Sequence, residues 1–207
     1  MAVPGSVASP EDSRRLVTET LNAYGRVDIL VTSAGVLQSP LSPHALDVDA
    51  FDRVMNIDQR GTYLTCRAFG TRMAQRGSGA IVNIASVAGL RSTPLHSYTP
   101  AKAAVIAITE CLAAEWGRSG VRVNAVAPGH TLTPALQAEV DRGERDVDAL
   151  AANTALGRLA TPEDIANAVC FLVSDAAGAI TGVSLPIDAG WLVGGSWTSY
   201  GSVRDAY

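Results

Sequence analysis

The chain has 207 residues, of which 47% are apolar and 17% charged, with a formal net charge of −4. That size and composition suit one globular domain spanning 1–207, and the acidic balance offers no electrostatic reason to bind nucleic acid or an anionic membrane. No apolar run reaches the roughly 18 residues of a membrane span. Met1-Ala2-Val3-Pro4 lacks the basic region of a secretory leader, and Cys66, Cys111 and Cys170 show no Cys-x-x-Cys spacing, which fits buried structural thiols in a reducing cytoplasm.

Ser9-Pro10-Glu11-Asp12 reads as a helix cap, a proline in the first turn and acidic residues at the positive end of the helix dipole. Leu16, Val17, Leu21 and Tyr24 continue it at helical spacing, and Val27 to Val31 is a short apolar strand ending at Thr32-Ser33-Ala34-Gly35. One long helix is predicted over Val48 to Arg76 and a second strand over Ala80 to Ala85. The segment Tyr98 to Trp116 is mostly small and apolar around its circumference, so a helix buried either in a core or between subunits is expected there. Val121 to Ala127 is a near-continuous apolar strand of the kind a parallel sheet covers on both faces. Pro134 to Arg158 is charged and irregular, as in a mobile flap. Thr161-Pro162-Glu163-Asp164 caps a helix to about Ser174, and Val183 to Ile187 is the last strand. Alternating strands and helices predict an α/β doubly wound parallel sheet.

Of sixteen basic residues only Lys102 is a lysine, and it stands four positions after Tyr98. On a helix such residues share a face. An ammonium beside a phenol favours phenolate and draws its pKa down from about 10, which would make Tyr98 a usable general acid or base. His44 and His96 have no ligand spacing around them, so no metal site is expected, and His130 reads as a loop residue.

The ordered set Asp28-Ile29-Leu30-Val31-Thr32-Ser33-Ala34-Gly35, Ile81-Val82-Asn83-Ile84-Ala85-Ser86, Tyr98-x-x-x-Lys102 and Val123-Asn124-Ala125-Val126-Ala127-Pro128-Gly129 closely resembles the short-chain dehydrogenase/reductases, as does the tail from Gly157 to Trp191. The resemblance implies a Rossmann-like fold and an oxidoreductase that interconverts a secondary alcohol and a ketone with NAD or NADP. It implies that Tyr98 exchanges a proton with the substrate oxygen and that Lys102 lowers its pKa and holds the nicotinamide ribose. Ser86, twelve positions before Tyr98, would hold the carbonyl. Ser33, Ala34 and Gly35, with Pro128, Gly129, Thr131 and Thr133, would border the cofactor. The helices over 48–76 and 98–116 resemble those that make the family's dimer and tetramer contacts, so a homo-oligomer is implied. The aromatics Trp191, Trp197, Tyr200 and Tyr207 would cover an interface or a pocket rim.

Two departures stand out. No Gly-x-x-x-Gly-x-Gly turn precedes Val27, and Ser6 stands where the family places an aspartate, so a sheet lacking the first strand-helix-strand-helix block is expected, and with it weakened or lost binding of NAD or NADP, whose pyrophosphate that turn normally cradles. Residues 2–7 would then either pair directly with 28–31 or be detached. Asp58 also stands three before Gly61 where the family has asparagine, with Asn56 two residues earlier. An aspartate there would hold the charge of Lys102 and alter its proton relay. A cofactor-free or degenerate relative, carrying out proton transfer alone as an isomerase or dehydratase or serving as a non-catalytic subunit, is the alternative reading.

Overall fold

The structure, a computed structural model, describes residues 1–204; Tyr207, the last of the tail aromatics, lies outside them. Four strands, β1 (Ile29–Thr32), β2 (Gly79–Ile84), β3 (Val121–Pro128) and β4 (Ser184–Ile187), lie parallel in the order β1-β2-β3-β4. Helices α3 (Thr62–Arg76) and α4 (Tyr98–Trp116) cover one face, where Cys66, Met73, Leu112 and Ala113 meet Ile81, Val121 and Val123. Helix α7 (Pro162–Val173) covers the other, where Leu172, Ile165 and Val169 meet Val82 and Val126. With both faces covered, β2 and β3 are buried along almost their whole length, as the apolar runs require.

The capping signals act as the sequence indicates. Ser9 accepts a hydrogen bond from Asp12 N at the start of α1 (Pro10–Tyr24), and Thr161 and Asp164 form a reciprocal capping box on α7. At the open edge of the sheet, Ile29 and Val31 remain 50% and 42% exposed, because α7 packs on β2, β3 and β4, away from that edge. The first residues neither pair with β1 nor hang free. Arg15 donates to Pro4 O at 2.5 Å, Ser6 N donates to Asp12 Oδ2 at 2.9 Å and Arg60 donates to Ala8 O at 2.6 Å. Side chains of α1, together with Arg60, thus take up the backbone groups a strand would need, and Val7 packs on Gly61, where a Cβ would stand 2.7 Å from Val7 Cγ2.

Three further expectations are corrected, and the burial of α4 is partial in the single chain. The helix predicted over 48–76 is α2 (Val48–Val54), a π-helical turn at Met55–Gly61, and α3. The hydroxyls of Thr62 and Thr65 donate to the carbonyls of Asp58 and Gly61, satisfying acceptors that the widened turn displaces. Helix α4 is buried along the stripe Ala101, Lys102, Val105, Thr109, Leu112 and Ala113, while Ala107, Glu110, Cys111 and Ala114 face outward. Only Cys66 is a buried thiol; Cys111 and Cys170 lie on the exposed sides of α4 and α7. Burial pushes Cys66 up to about 12, so it stays a thiol. The charged flap folds into α5 (Pro134–Asp141) and α6 (Val147–Ala151), because Thr133 and Asp146 cap them and Arg145 pairs with Glu139 at 3.3 Å.

A buried polar brace joins the layers. The carboxamide oxygen of Asn83 accepts from Thr32 Oγ1 at 2.7 Å and Cys66 Sγ at 3.1 Å, and its nitrogen donates to Thr109 Oγ1 at 2.9 Å. Asn83→Ala would leave Thr32 Oγ1 and Cys66 Sγ without an acceptor in the core, while Thr109 keeps Val105 O, at about 1–3 kcal/mol for each stranded group. A loss of about 3 kcal/mol would lower Tm by roughly 6–12 °C in a domain of this size. Thermal unfolding followed by circular dichroism checks this, and an unchanged Tm would mean the brace carries no stability.

Candidate active site

Parallel strands end on the same edge of the sheet, and that edge gathers the residues singled out by sequence. β1 delivers Ser33-Ala34-Gly35, β2 delivers Ala85-Ser86, and Pro128-Gly129 closes β3, at the carboxyl ends where open α/β sheets hold ligands. Ser86 caps a 3-10 turn, Val87–Gly89, by accepting from Ala88 N at 3.2 Å. Gly89 lets this turn lie on α4: a Cβ there would stand 2.7 Å from the carbonyl carbon of Lys102. The turn thereby places the Ser86 hydroxyl near enough to Tyr98, the first residue of α4, to draw its pKa down.

Tyr98 and Lys102 share one face of α4, with Nζ 5.3 Å from the ring centroid. Lys102 is 5% exposed, donates to Ile84 O at 3.1 Å and pairs with Asp58 Oδ2 at 3.3 Å. Asp58, at 0% exposure inside the π turn, accepts from Val36 N at 2.8 Å through Oδ1. Its Oδ2 faces the ammonium off the line of a hydrogen bond, so the interaction is one of charge. Gly35 covers the pair: a Cβ there would stand 3.0 Å from Asp58 Oδ2 and 3.5 Å from Lys102 Nζ.

The electrostatics differ from the sequence expectation. Burial pushes the Tyr98 phenol above 10.0; the nearby Ser86 hydroxyl draws it down and the Asp58 charge pushes it up again. The ammonium expected to acidify the phenol has a carboxylate as its counter-ion, and that carboxylate acts on Tyr98 in the opposite sense.

Thr131 and Thr133 lie beyond β3 with their hydroxyls engaged locally. Thr131 donates to Gly129 O at 3.1 Å, and Thr133 accepts from Leu136 N at 3.2 Å as the cap of α5. Gly129 backs onto the segment after β4, since a Cβ would stand 2.7 Å from Asp188 Cβ. Trp191 meets His130 edge-on with ring centroids 6.1 Å apart, whereas Trp197 and Tyr200 are exposed. Among the described residues no three His, Cys, Asp or Glu side chains gather as a metal site, and no helix is long and apolar enough to cross a membrane.

Sequence reasoning missed Gln38. Its Oε1 accepts from Ser97 N at 2.7 Å and Ser97 Oγ at 2.8 Å, fixing the residue that precedes Tyr98. Ser97 has no capping bond of its own to α4. A contact across 59 positions leaves no local signal; the one clue is a glutamine in a loop of small and apolar residues.

A family model described as Enoyl-(Acyl carrier protein) reductase matches residues 1–192. D-threitol dehydrogenase of Mycolicibacterium smegmatis is 44% identical over 172 residues, which are 82% of this chain and 65% of that protein, so the chain spans just under two thirds of this relative's length. A crystal structure named as ribose-5-phosphate isomerase from Brucella melitensis 16M superposes with a TM-score of 0.93 at 52% identity, over 97% of this chain and 78% of that one. ElxO with NADP bound superposes with a TM-score of 0.88 at 33% identity, over 91% of this chain and 76% of that one. By sequence and by fold, then, the chain belongs to the short-chain dehydrogenase/reductase family.

Proposed function

We propose that this protein interconverts a secondary alcohol and a ketone, with Tyr98 as the general acid and base. The observation that carries the reading is the Ser86–Tyr98–Lys102 cluster at the carboxyl edge of the sheet. In the ketone-reducing direction the Tyr98 phenol gives its proton to the substrate oxygen. The Ser86 hydroxyl turns from Tyr98 to donate to that same oxygen as negative charge grows on it, its own oxygen remaining fixed by Ala88 N. Oxidation reverses both movements. Lys102, held by Ile84 O and Asp58, lies behind Tyr98 as the route by which its proton is replaced.

Ser33, Ala34, Gly35, Pro128, Gly129, Thr131 and Thr133 would hold NAD or NADP, with Tyr98 and Lys102 at its nicotinamide ribose. The shelf fits: Ser33 to Gly35 are exposed, and any side chain at Gly35 would crowd the Asp58–Lys102 pair. The nicotinamide would supply or accept the hydride. The outward small residues of α4, Ala107 and Ala114, support a dimer or tetramer built on this helix, and the free thiols Cys111 and Cys170 support a cytoplasmic location.

Titration with NADH and with NADPH tests the reading, followed by protein melting and nicotinamide fluorescence. One cofactor at a hundredfold excess over its Kd should add about 2.7 kcal/mol to stability. Silence with both would reject the dehydrogenase. The resemblance to a structure named as an isomerase favours, as the second reading, proton transfer without cofactor; aldose–ketose interconversion in the absence of any nicotinamide would establish it instead.

A further inference from the structure

One loop, between β1 and α2, reaches both members of the Tyr98–Lys102 pair. It passes Gly35, which lies over Asp58 and Lys102, and Val36, whose N–H donates to Asp58 Oδ1 at 2.8 Å. Further along it carries Gln38, whose Oε1 accepts from Ser97 N at 2.7 Å and from Ser97 Oγ at 2.8 Å. The loop thus grips Lys102 through Asp58, and Tyr98 through the residue just before it.

The start of α4 depends on that second grip. Ser97 already has helical backbone angles, φ −99° and ψ −41°, and gives the helix no side-chain cap, because its hydroxyl is engaged by Gln38. Around it Thr99 N donates to Leu95 O and Ala101 N to Ser97 O, so of these backbone hydrogen bonds only the one from Ser97 N leaves the local turn. Gln38 and Ser97 are 6% and 0% exposed, which keeps water from taking its place. The orientation of the carboxamide leaves Nε2 buried without a partner, although nearly every buried amide donor has one. Turning the group over would set that nitrogen against Ser97 N, donor to donor. An apolar side chain of the same length would fill the space without an orphaned donor; what it could not do is accept from Ser97.

We propose that Gln38 is a positioning residue for Tyr98, fixing through Ser97 the place at which the phenol stands beside Ser86 and Lys102. Residues 33–38 then bear on the cofactor shelf and on the proton donor from one segment, and a slip of the helix start would separate the two without emptying either. A misplacement of about 1 Å at a reacting group can lower a rate on the order of a hundredfold. Gln38 acts on the proposed alcohol–ketone chemistry, on which its kinetic test rests; its spectroscopic test does not.

Gln38→Met keeps the length of the side chain and removes the acceptor. In oxidation of cyclohexanol, a plain secondary alcohol, with NAD or NADP, it should lower kcat at least about tenfold and leave KM within about twofold, since no binding group is touched. Gln38→Glu returns an acceptor to Ser97 and should recover most of the loss. Independently of turnover, carbon-13 at Cζ of tyrosine reports the phenol itself, the Tyr98 signal being assigned by its loss in Tyr98→Phe. That signal should move in Gln38→Met and return in Gln38→Glu. A fall in Tm with the Tyr98 signal unmoved would mark a role in stability alone and overturn the proposal, as would a smaller loss of kcat or a Gln38→Glu no better than Gln38→Met. A parent that binds neither NADH nor NADPH rejects the dehydrogenase instead. There, or where cyclohexanol is not turned over, the tyrosine signal decides alone: a movement that glutamate reverses upholds Gln38, and an unmoved signal overturns it. If Gln38→Met fails to fold, Gln38→Asn, one methylene shorter than the span to Ser97, is read by the same criteria.

Discussion

Replacing Tyr98 with phenylalanine should cost the alcohol–ketone reaction a factor of about 10² to 10⁴, the usual worth of a positioned proton donor, and leave the fold in place. The ring would keep its seat at the start of α4 beside Lys102, and only the hydroxyl would go. The pH dependence of the parent follows from the upward push on the phenol. Ketone reduction needs the protonated form and should be flat through neutral pH; alcohol oxidation needs the phenolate and should climb with pH into the alkaline range. The same shift has a stability counterpart. With a folded pKa above the unfolded 10.0, the unfolded chain ionises first, so the contribution of Tyr98 is complete below 10 and is lost as pH rises through the folded value. Steady-state rates in both directions, from pH 6 to about 10.5 to bracket a phenol, check the profile. A Tyr98→Phe enzyme within a few fold of the parent would end the general-acid assignment.

The sequence carries most of the fold because its signals are local. Caps at Ser9 and Thr161, the apolar runs of β2 and β3, and the four-residue spacing of Tyr98 and Lys102 are each decided within one turn or one strand, and each appears where it was expected. The charged stretch after β3 was misleading because some of its acids and arginines serve as caps and ion pairs that order it into two short helices. The π turn, the Gln38–Ser97 contact and the path of the first seven residues were not legible. Each depends on a distant group that completes a hydrogen bond or fills a gap: Thr62 and Thr65 for the displaced carbonyls, a glutamine 59 positions upstream of Ser97, and Arg15 and Asp12 for a segment that could otherwise have been a strand. The proximity of Asp58 to Lys102 was implied by the resemblance to the family, but its effect on Tyr98 was not. The sign of that effect depends on the pairing of Lys102 with Asp58 and on the burial of the phenol, neither of which is encoded in the interval between residues 98 and 102.

Asp58→Asn separates these effects, because its expected consequences for stability and for pH dependence run in opposite directions. Removing one member of a buried ion pair leaves the other uncompensated, at about 3–5 kcal/mol. Lys102 would retain Ile84 O as acceptor and lose its only ion-pair partner among the described residues. A loss of that size lowers Tm by roughly 6–20 °C. At the same time the carboxylate that pushes the phenol upward is gone, so the alkaline rise of alcohol oxidation should begin at lower pH than in the parent. A residue that merely fills space would move Tm and leave the pH profile where it was. Asp58→Asn combined with Lys102→Met should be less damaging to stability than the two single losses added together, since the double variant leaves no unpaired charge. Combining Asp58→Asn with Asn56→Asp restores the order of the pair seen in the family, and should raise turnover if the carboxylate impedes proton replacement through Lys102. Unchanged turnover would show that the relay is indifferent to which of the two residues faces the lysine.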